Sequence, residues 1–286
     1  MRGSDMYRIV KVLNHNAVLA VNAEDGKECL LMGKGIGFGK KVSEHVEPGE
    51  DARIYTLQAS GERGQAGEIV KSIDPEFLEI ANLVLDEAQK VFGNIDRNIL
   101  FPLADHICYA VERMKRHESI SNPLTEDIRL LFHMEYKVAS CVVPVLKKKF
   151  GITIGDDEIG YITLHVHSAI DDDKVSDAMK TARAVRECIE IVENAMGKRI
   201  DVMTLSYNRL MNHVRYMIVR ALNGEKLKMS LNDYMSVKYP EEFAMAEQIC
   251  EQIGTTIGCT LKDAETGYLA MHICRVTSGE LDAEEE

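Results

Sequence analysis

The chain has 286 residues, of which 45% are hydrophobic and 28% are charged, the balance of a globular protein that buries a core. This length predicts one to three domains, and no apolar run approaches the ~20 residues of a membrane-spanning helix. The net charge is −12, but residues 1–61 hold equal numbers of basic and acidic side chains, so the acidic excess lies entirely after them. Because an acidic surface repels nucleic acid, any nucleic-acid-binding function must lie in the neutral N-terminal part.

The first sixty residues predict a small antiparallel β domain, which we place at residues 6–61. Short apolar runs at 9–10, 18–21 and 29–32 are separated by the turn-forming segments 14–16 and 24–27. So small a sheet has little core of its own, and we therefore expect it to dimerise. The polar, glycine-rich segment 59–68 indicates a linker, which we place at residues 62–74.

Beyond residue 75 the pattern becomes helical, because apolar residues recur at spacings of three and four. The first such stripe contains Leu78, Ala81, Leu85, Ala88 and Val91. Further stripes lie at residues 126–149, 178–196, 205–222 and 241–253. We therefore expect the part of the chain that follows the linker to be all-helical.

An internal repeat divides this helical part in two. Residues 160–166 resemble residues 267–273 at an offset of 107, and the same offset maps Glu158 onto Glu265 and Arg113 onto Arg220. We place the two copies, each a helical bundle, at residues 75–174 and 175–286. The alternation of apolar residues in 160–166 would also suit a strand, but acidic residues just before it favour the first turn of a helix.

Four histidines occupy matching positions in the two copies, and the members of each pair are 59 positions apart: His106 with His165, and His213 with His272. The simplest interpretation is that they are packing residues of the helices. A second interpretation is that they accept phosphoryl groups. A neutral imidazole is nucleophilic near pH 7, and phosphorylation adds roughly −1.5 to −2 charges to a neutral ring.

A metal-dependent hydrolase that uses His106, His165 and His167 is the competing interpretation. Residues i and i+2 of a helix diverge by about 200°, and the second copy has Cys274 where the first has His167. No HExxH, GxSxG or phosphate-binding loop motif is present either. We therefore expect no catalytic residues, no metal and no cofactor, and a protein that is not an enzyme.

The seven cysteines form no CxxC pair, and the first residues lack the apolar segment of a secretory signal. We therefore expect a cytoplasmic protein without membrane insertion.

Residues 33–41, GKGIGFGKK, are the most distinctive stretch of the chain. Four glycines permit close approach of the backbone, the lysines can contact phosphates, and Phe38 can stack on an unpaired base. The asparagines of the turn at 14–16 carry amide groups that can read base edges. A glycine-rich hairpin with a purely structural role is the alternative.

Residues 11–18 and 32–41 resemble the RNA-binding domain of the BglG/SacY-type transcriptional antiterminators, and the duplicated helical part resembles the two PTS regulation domains of that family. The likeness extends from Met6 to about Ser278. Residues 33–41, together with LHVHSA at 164–169, are most similar to the antiterminators of glucose permease operons.

The resemblance implies a homodimer that binds a hairpin in nascent leader mRNA and prevents a terminator hairpin from forming in a sugar-transport operon. The RNA contacts that it implies are Lys11, Asn16, Gly33, Lys34, Gly35 and Phe38. A DNA-binding activator that carries the same regulation domains is a further alternative. It would need a helix-turn-helix in residues 1–61, where the pattern predicts strands.

The resemblance also implies control by the sugar phosphotransferase system. A sugar-specific permease (enzyme II) would phosphorylate the first regulation domain and inactivate the protein, and the phosphocarrier protein would act on the second. The implied phosphorylation sites are His106, His165, His213 and His272. His106 is preceded by the acid Asp105, whereas His213 is preceded by Asn212. We therefore expect the second pair of histidines to be less regulated by phosphorylation.

Overall fold

The computed structural model describes residues 6–49, 51–57, 70, 72–171, 175–225, 227–261 and 263–278. These residues form two compact units. The first contains the residues before 123 together with 134–171, and the second contains 123–133 together with the residues from 175 onward. Most of the proposed linker lies outside the described residues, although Val70 and Ile73 are buried in the core of the first unit. The domain limits that we placed at 75–174 and 175–286 remain a proposal.

The N-terminal part of the first unit is a five-stranded antiparallel sheet with the strand order β4-β1-β2-β3-β5. The strands are β1 (Tyr7–Asn14), β2 (Ala17–Asn22), β3 (Glu28–Met32), β4 (His45–Val46) and β5 (Arg53–Thr56). Both faces of the sheet are covered. Ile9, Val18 and Leu31 form a small core on one face, whereas Leu19 and Leu30 of the other face join the core of the helices.

The helical part of the first unit begins where local signals place it. Its elements are α1 (Pro75–Phe92), a 3-10 helix (Arg97–Ile99), α2 (Leu100–Lys115), α4 (His133–Ala139), α5 (Val142–Phe150) and α6 (Asp156–Asp171). The Asp74 side chain caps α1 by accepting a hydrogen bond from the amide of Glu76, and Pro75 opens the helix. The predicted stripe is buried except for Val91, which is exposed near the end of the helix.

The second unit repeats this arrangement with one difference. Its helices are α3 (Thr125–Leu131), α7 (Val175–Met196), α8 (Leu205–Leu222), α9 (Asn232–Lys238), α10 (Pro240–Ile257) and α11 (Asp263–Ser278). At the offset of 107, α3 corresponds to α9, which packs on α10 and α11. Helix α3 instead packs on α7, where Asp127 pairs with Arg186 at 3.1 Å.

The predicted helical stripe at 126–149 is divided among three helices, α3, α4 and α5. Its second break is at Ser140, whose hydroxyl donates to the carbonyl oxygen of Tyr136 at 2.7 Å. The next amide, of Cys141, bonds only three residues back, to Val138, and so tightens the turn between α4 and α5. Within the described residues, none of the helices is both long and apolar enough to cross a membrane.

Candidate functional site

The glycine-rich segment 33–41 is a compact loop bound to the turn between β1 and β2. The amide of Gly33 donates to the carbonyl oxygen of Asn16 at 2.9 Å, and the amide of Gly35 donates to the side-chain oxygen of the same residue, also at 2.9 Å. A Cβ atom on Gly37 would lie 2.2 Å from the carbonyl oxygen of Asn14, so only glycine fits there. Gly35 has a φ of 74°, which also favours glycine. The glycines therefore fix the loop against the turn.

The phenylalanine and the lysines of this loop point into solvent, whereas Ile36 packs on the small core of the sheet. Phe38 is 70% exposed, and its ring meets that of His15 edge-on at a centroid distance of 5.3 Å. Lys11 and Lys34 are exposed as well. The structure thus joins Asn16 to Gly33 and Gly35 by hydrogen bonds, with Lys34 and Phe38 in the same loop and Lys11 on β1. Asn16 also bonds to Glu79 of α1.

The first histidine centre lies between α2 and α6. The rings of His106 and His165 have centroids 5.5 Å apart. Glu158, whose side chain is only 6% exposed, accepts three hydrogen bonds from Arg113 at 2.7, 2.9 and 3.2 Å. Its other contact is with His106, whose Nε2 lies 3.2 Å from Glu158 Oε2, at ion-pair distance but without the alignment of a hydrogen bond. The centre is thus a pair of rings beside a buried ion pair.

The second centre, between α8 and α11, repeats this arrangement. The rings of His213 and His272 are 4.6 Å apart, and Arg220 donates two hydrogen bonds of 2.8 Å to Glu265. Among the residues that the structure describes, the buried Nε2 of the first histidine and the buried Nδ1 of the second have no hydrogen-bond partner in either centre. The repeat seen in the sequence therefore extends to individual ring atoms.

Burial keeps three of the four rings neutral. It lowers the pKa of His165 to about 3, with a contribution from the charge of His106. It lowers the pKa of His213 to about 3 and that of His272 to about 4, and nearby positive charges add to both effects. Each of these rings therefore keeps a nitrogen lone pair at pH 7, as a nucleophile requires.

The acids of the first centre differ from one another. Burial would raise the pKa of Glu158, but the interactions with His106 and Arg113 outweigh it and lower that pKa below its usual value. Burial raises the pKa of Asp105, and the charge of His106 opposes this shift only in part. Glu158 is therefore the permanent negative charge beside the rings.

The buried ion pair of each centre was not assigned to the site from the sequence. Arg113–Glu158 and Arg220–Glu265 both followed the offset of 107, but we had not assigned them to the site. The side chain of His106 is only 18% exposed. The two helices that hold each pair of rings shield them from solvent.

The metal-dependent hydrolase is not supported. His167 lies away from the ring pair, buried, with its Nδ1 3.2 Å from Glu135 Oε1. His165 and His167 therefore do not converge on one point. In the part of the chain that the structure describes, no group of three or more His, Cys, Asp or Glu residues is arranged to hold a metal ion.

Comparison with known proteins agrees with this architecture. The family model described as CAT RNA binding domain matches residues 7–63, and the one described as PRD domain matches residues 78–169 and again 186–276. Protein GlcT of Staphylococcus epidermidis is 30% identical over 274 residues, which are 93% of this chain and 95% of that protein. The beta-glucoside operon antiterminator of Dickeya chrysanthemi is 27% identical over 275 residues, which are 95% and 97% of the two chains.

A crystal structure of GlcT CAT-PRDI, 30% identical in sequence, covers 58% of this chain and 99% of its own with a TM-score of 0.49. The family models together match most of the chain, in the predicted order. The predicted fold class, a small antiparallel β domain followed by two homologous helical domains, is confirmed. The chain belongs to the family of transcriptional antiterminators that join a CAT RNA-binding domain to two PRD domains.

Proposed function

We propose that this protein binds a hairpin in nascent leader mRNA as a homodimer and prevents a terminator hairpin from forming in a sugar-transport operon, that of a glucose permease. The observation that carries this proposal is the rigid loop 33–41, which presents Phe38 and exposed lysines from the part of the chain without net charge. Aromatic rings stack on unpaired bases, and lysines neutralise phosphates. The protein would act where mRNA is made, in the bacterial cytoplasm.

The gel shift that tests RNA binding uses the full chain and the leader transcript of the adjacent operon. Phe38→Ala and Lys34→Ala should each weaken binding, and the lysine change should also lower the salt dependence by about one phosphate contact. Lys198→Ala is the matched control, because Lys198 is equally exposed but lies in the acidic helical part. Equal binding by all variants would mean that the loop is not the RNA site.

We further propose that phosphoryl groups from a sugar-specific permease reach the first histidine centre and switch the protein off. A phosphoryl group on either ring would compete with Glu158 for Arg113, and so weaken the ion pair that joins α2 to α6. Reversing a two-state equilibrium from 99:1 to 1:99 takes about 5.5 kcal/mol. Salt screens a dianion near the buried Glu158 far less than one in solvent, so the repulsion between the two can contribute a free energy of this size.

The test is mass spectrometry of acid-labile phosphate after incubation with the phosphotransfer chain and the permease domain. His106→Ala should lose the label carried by His106 and give antitermination that persists without sugar. His213→Ala should have a smaller effect on antitermination, since His213 is preceded by Asn212 and His106 by the acid Asp105. Sugar-dependent activity without label on the first centre would reject this mechanism and leave the four histidines as packing residues.

A further inference from the structure

Two amide groups of the proposed RNA-binding surface converge on a single carboxylate oxygen. Asn14 Nδ2 and Asn16 Nδ2 lie 2.8 and 3.2 Å from Oε1 of Glu79, which is on α1. The carbonyl ends of the same two side chains have other roles. Asn14 Oδ1 accepts from the amide of Asn16 at 2.8 Å, and Asn16 Oδ1 accepts from the amide of Gly35 at 2.9 Å. The carbonyls therefore hold the loop in shape, and both NH₂ donors point at one acceptor.

The position of Glu79 is set by packing that does not involve its own hydrogen bonds. Leu19 and Leu30 of the sheet share one core with the buried face of α1. Beside this core, Arg97 donates to the hydroxyl of Tyr55 at 3.1 Å and to Asp86 of α1 at 2.8 Å. Helix α1 is thus fixed on the sheet, and Glu79 is held at the end of the sheet where the RNA-binding loop begins.

A cavity of about 680 Å³ opens between the loop and this helix. Asn16, Gly33 and Lys34 line its loop side, and Glu79 and Asp86 line its helix side. Asp51 adds a third carboxylate to this lining, and Arg53 and Lys90 add two further cations. The carboxylate that a phosphate would meet on reaching the Asn16 amide is that of Glu79. Phe38, in contrast, is 70% exposed and remains available to stack on a base.

We propose that α1 of the first PRD domain is an intramolecular competitor of RNA, in which the Glu79 carboxylate occupies the pair of amide donors that an oxygen acceptor of the RNA would take. This inference rests on the proposed RNA-binding function. RNA must displace Glu79 before it can use Asn14 and Asn16, so the full chain binds RNA more weakly than the loop allows. Because Glu79 belongs to a helix of the regulation domain, any shift of α1 on the sheet changes RNA affinity directly.

The experiment measures the dissociation constant of the full chain for the leader hairpin, in the wild type and in Glu79→Ala and Glu79→Gln. Alanine is a good helix former, so α1 should persist. Releasing the two amides should tighten binding by Glu79→Ala about ten-fold, the equivalent of about 1.4 kcal/mol. Glu79→Gln keeps an acceptor but removes the charge, so its gain should be smaller. Glu126→Gln, which removes an exposed charge from α3, is the control and should leave the affinity unchanged.

A double-mutant cycle shows whether the released amides reach the RNA. Asn16→Ala should weaken RNA binding more in the Glu79→Ala background than in the wild type, because only there is the Asn16 amide free. The inference is overturned if Glu79→Ala binds no more tightly than the wild type, or if Glu126→Gln gives the same gain. If neither the wild type nor Glu79→Ala binds any hairpin, the proposed RNA-binding function falls, and the inference falls with it.

Discussion

Acidification should destabilise this protein through its buried histidines, and the second unit should lose more stability than the first. A histidine with a lowered pKa in the folded state binds fewer protons there than in the unfolded chain, whose value is about 6.5. The free energy of unfolding therefore falls as the pH drops below 6.5, and the loss continues until the folded pKa is reached. For His165, with a pKa of about 3, the loss between pH 8 and pH 5 is about 2 kcal/mol.

The second unit has two buried histidines with a lowered pKa, so its expected loss of stability on acidification is about twice as large. His213 and His272, with pKa values of about 3 and about 4, each contribute about 2 kcal/mol over the same interval. The raised pKa values of Asp105 in the first unit and of Asp127 in the second act in the opposite direction, because each group binds its proton more readily in the folded state. The expected losses at pH 5 are therefore at most about 2 kcal/mol for the first unit and about 4 kcal/mol for the second.

Urea denaturation followed by circular dichroism at pH 8 and pH 5 measures this difference. His165→Gln should remove most of the pH dependence of the first unit, and the double variant His213→Gln/His272→Gln should remove it from the second. His117→Asn is the control, because His117 is exposed and asparagine tolerates its positive φ. If the glutamine variants lose as much stability between pH 8 and pH 5 as the wild type, the acid sensitivity does not come from these rings.

Two further predictions concern the supports of the proposed sites. Glu158→Gln should lower the free energy of unfolding by about 2 kcal/mol, because it leaves Arg113 without its charged partner. Denaturation that matches Glu112→Gln, a change in an exposed pair on the same helix as Arg113, would refute this. Gly37→Ala should destabilise the loop by about 1–3 kcal/mol and abolish hairpin binding in the gel shift, since its Cβ would overlap a backbone carbonyl. Gly49→Ala has open space around its Cβ and should be neutral; equal effects of the two glycine changes would contradict the packing argument.

Local sequence rules were sufficient for three of the five described strands and for the long helices α1, α7, α8 and α10. The spacing of apolar residues, the cap at Asp74 and the glycines of the loop act over a few residues, so each can be recognised without the rest of the chain. The repeat at an offset of 107 paired the histidines because two copies of one fold place equivalent residues equivalently. The apolar spacing of the stripe at 126–149 continues through Ser140, so it did not show the break between α4 and α5, where the Ser140 hydroxyl bonds to the carbonyl oxygen of Tyr136.

Long-range packing decided the rest. The periodicity of a helix shows which face is buried but not which element covers that face. The sequence therefore did not show that α3, which corresponds to α9 in the repeat, packs on α7 in the second unit. The sequence likewise predicted that Asn16 would contact RNA but could not show its hydrogen bond to Glu79. That bond forms only in the folded chain, because the two residues are 63 positions apart. The pKa values of His165, His213 and His272 are likewise lowered by burial between helices that are distant in sequence and meet only in the folded chain. Residue types and their spacing thus determined the elements, the repeat and the candidate sites, whereas burial and distant charges, which exist only after packing, decided their environment.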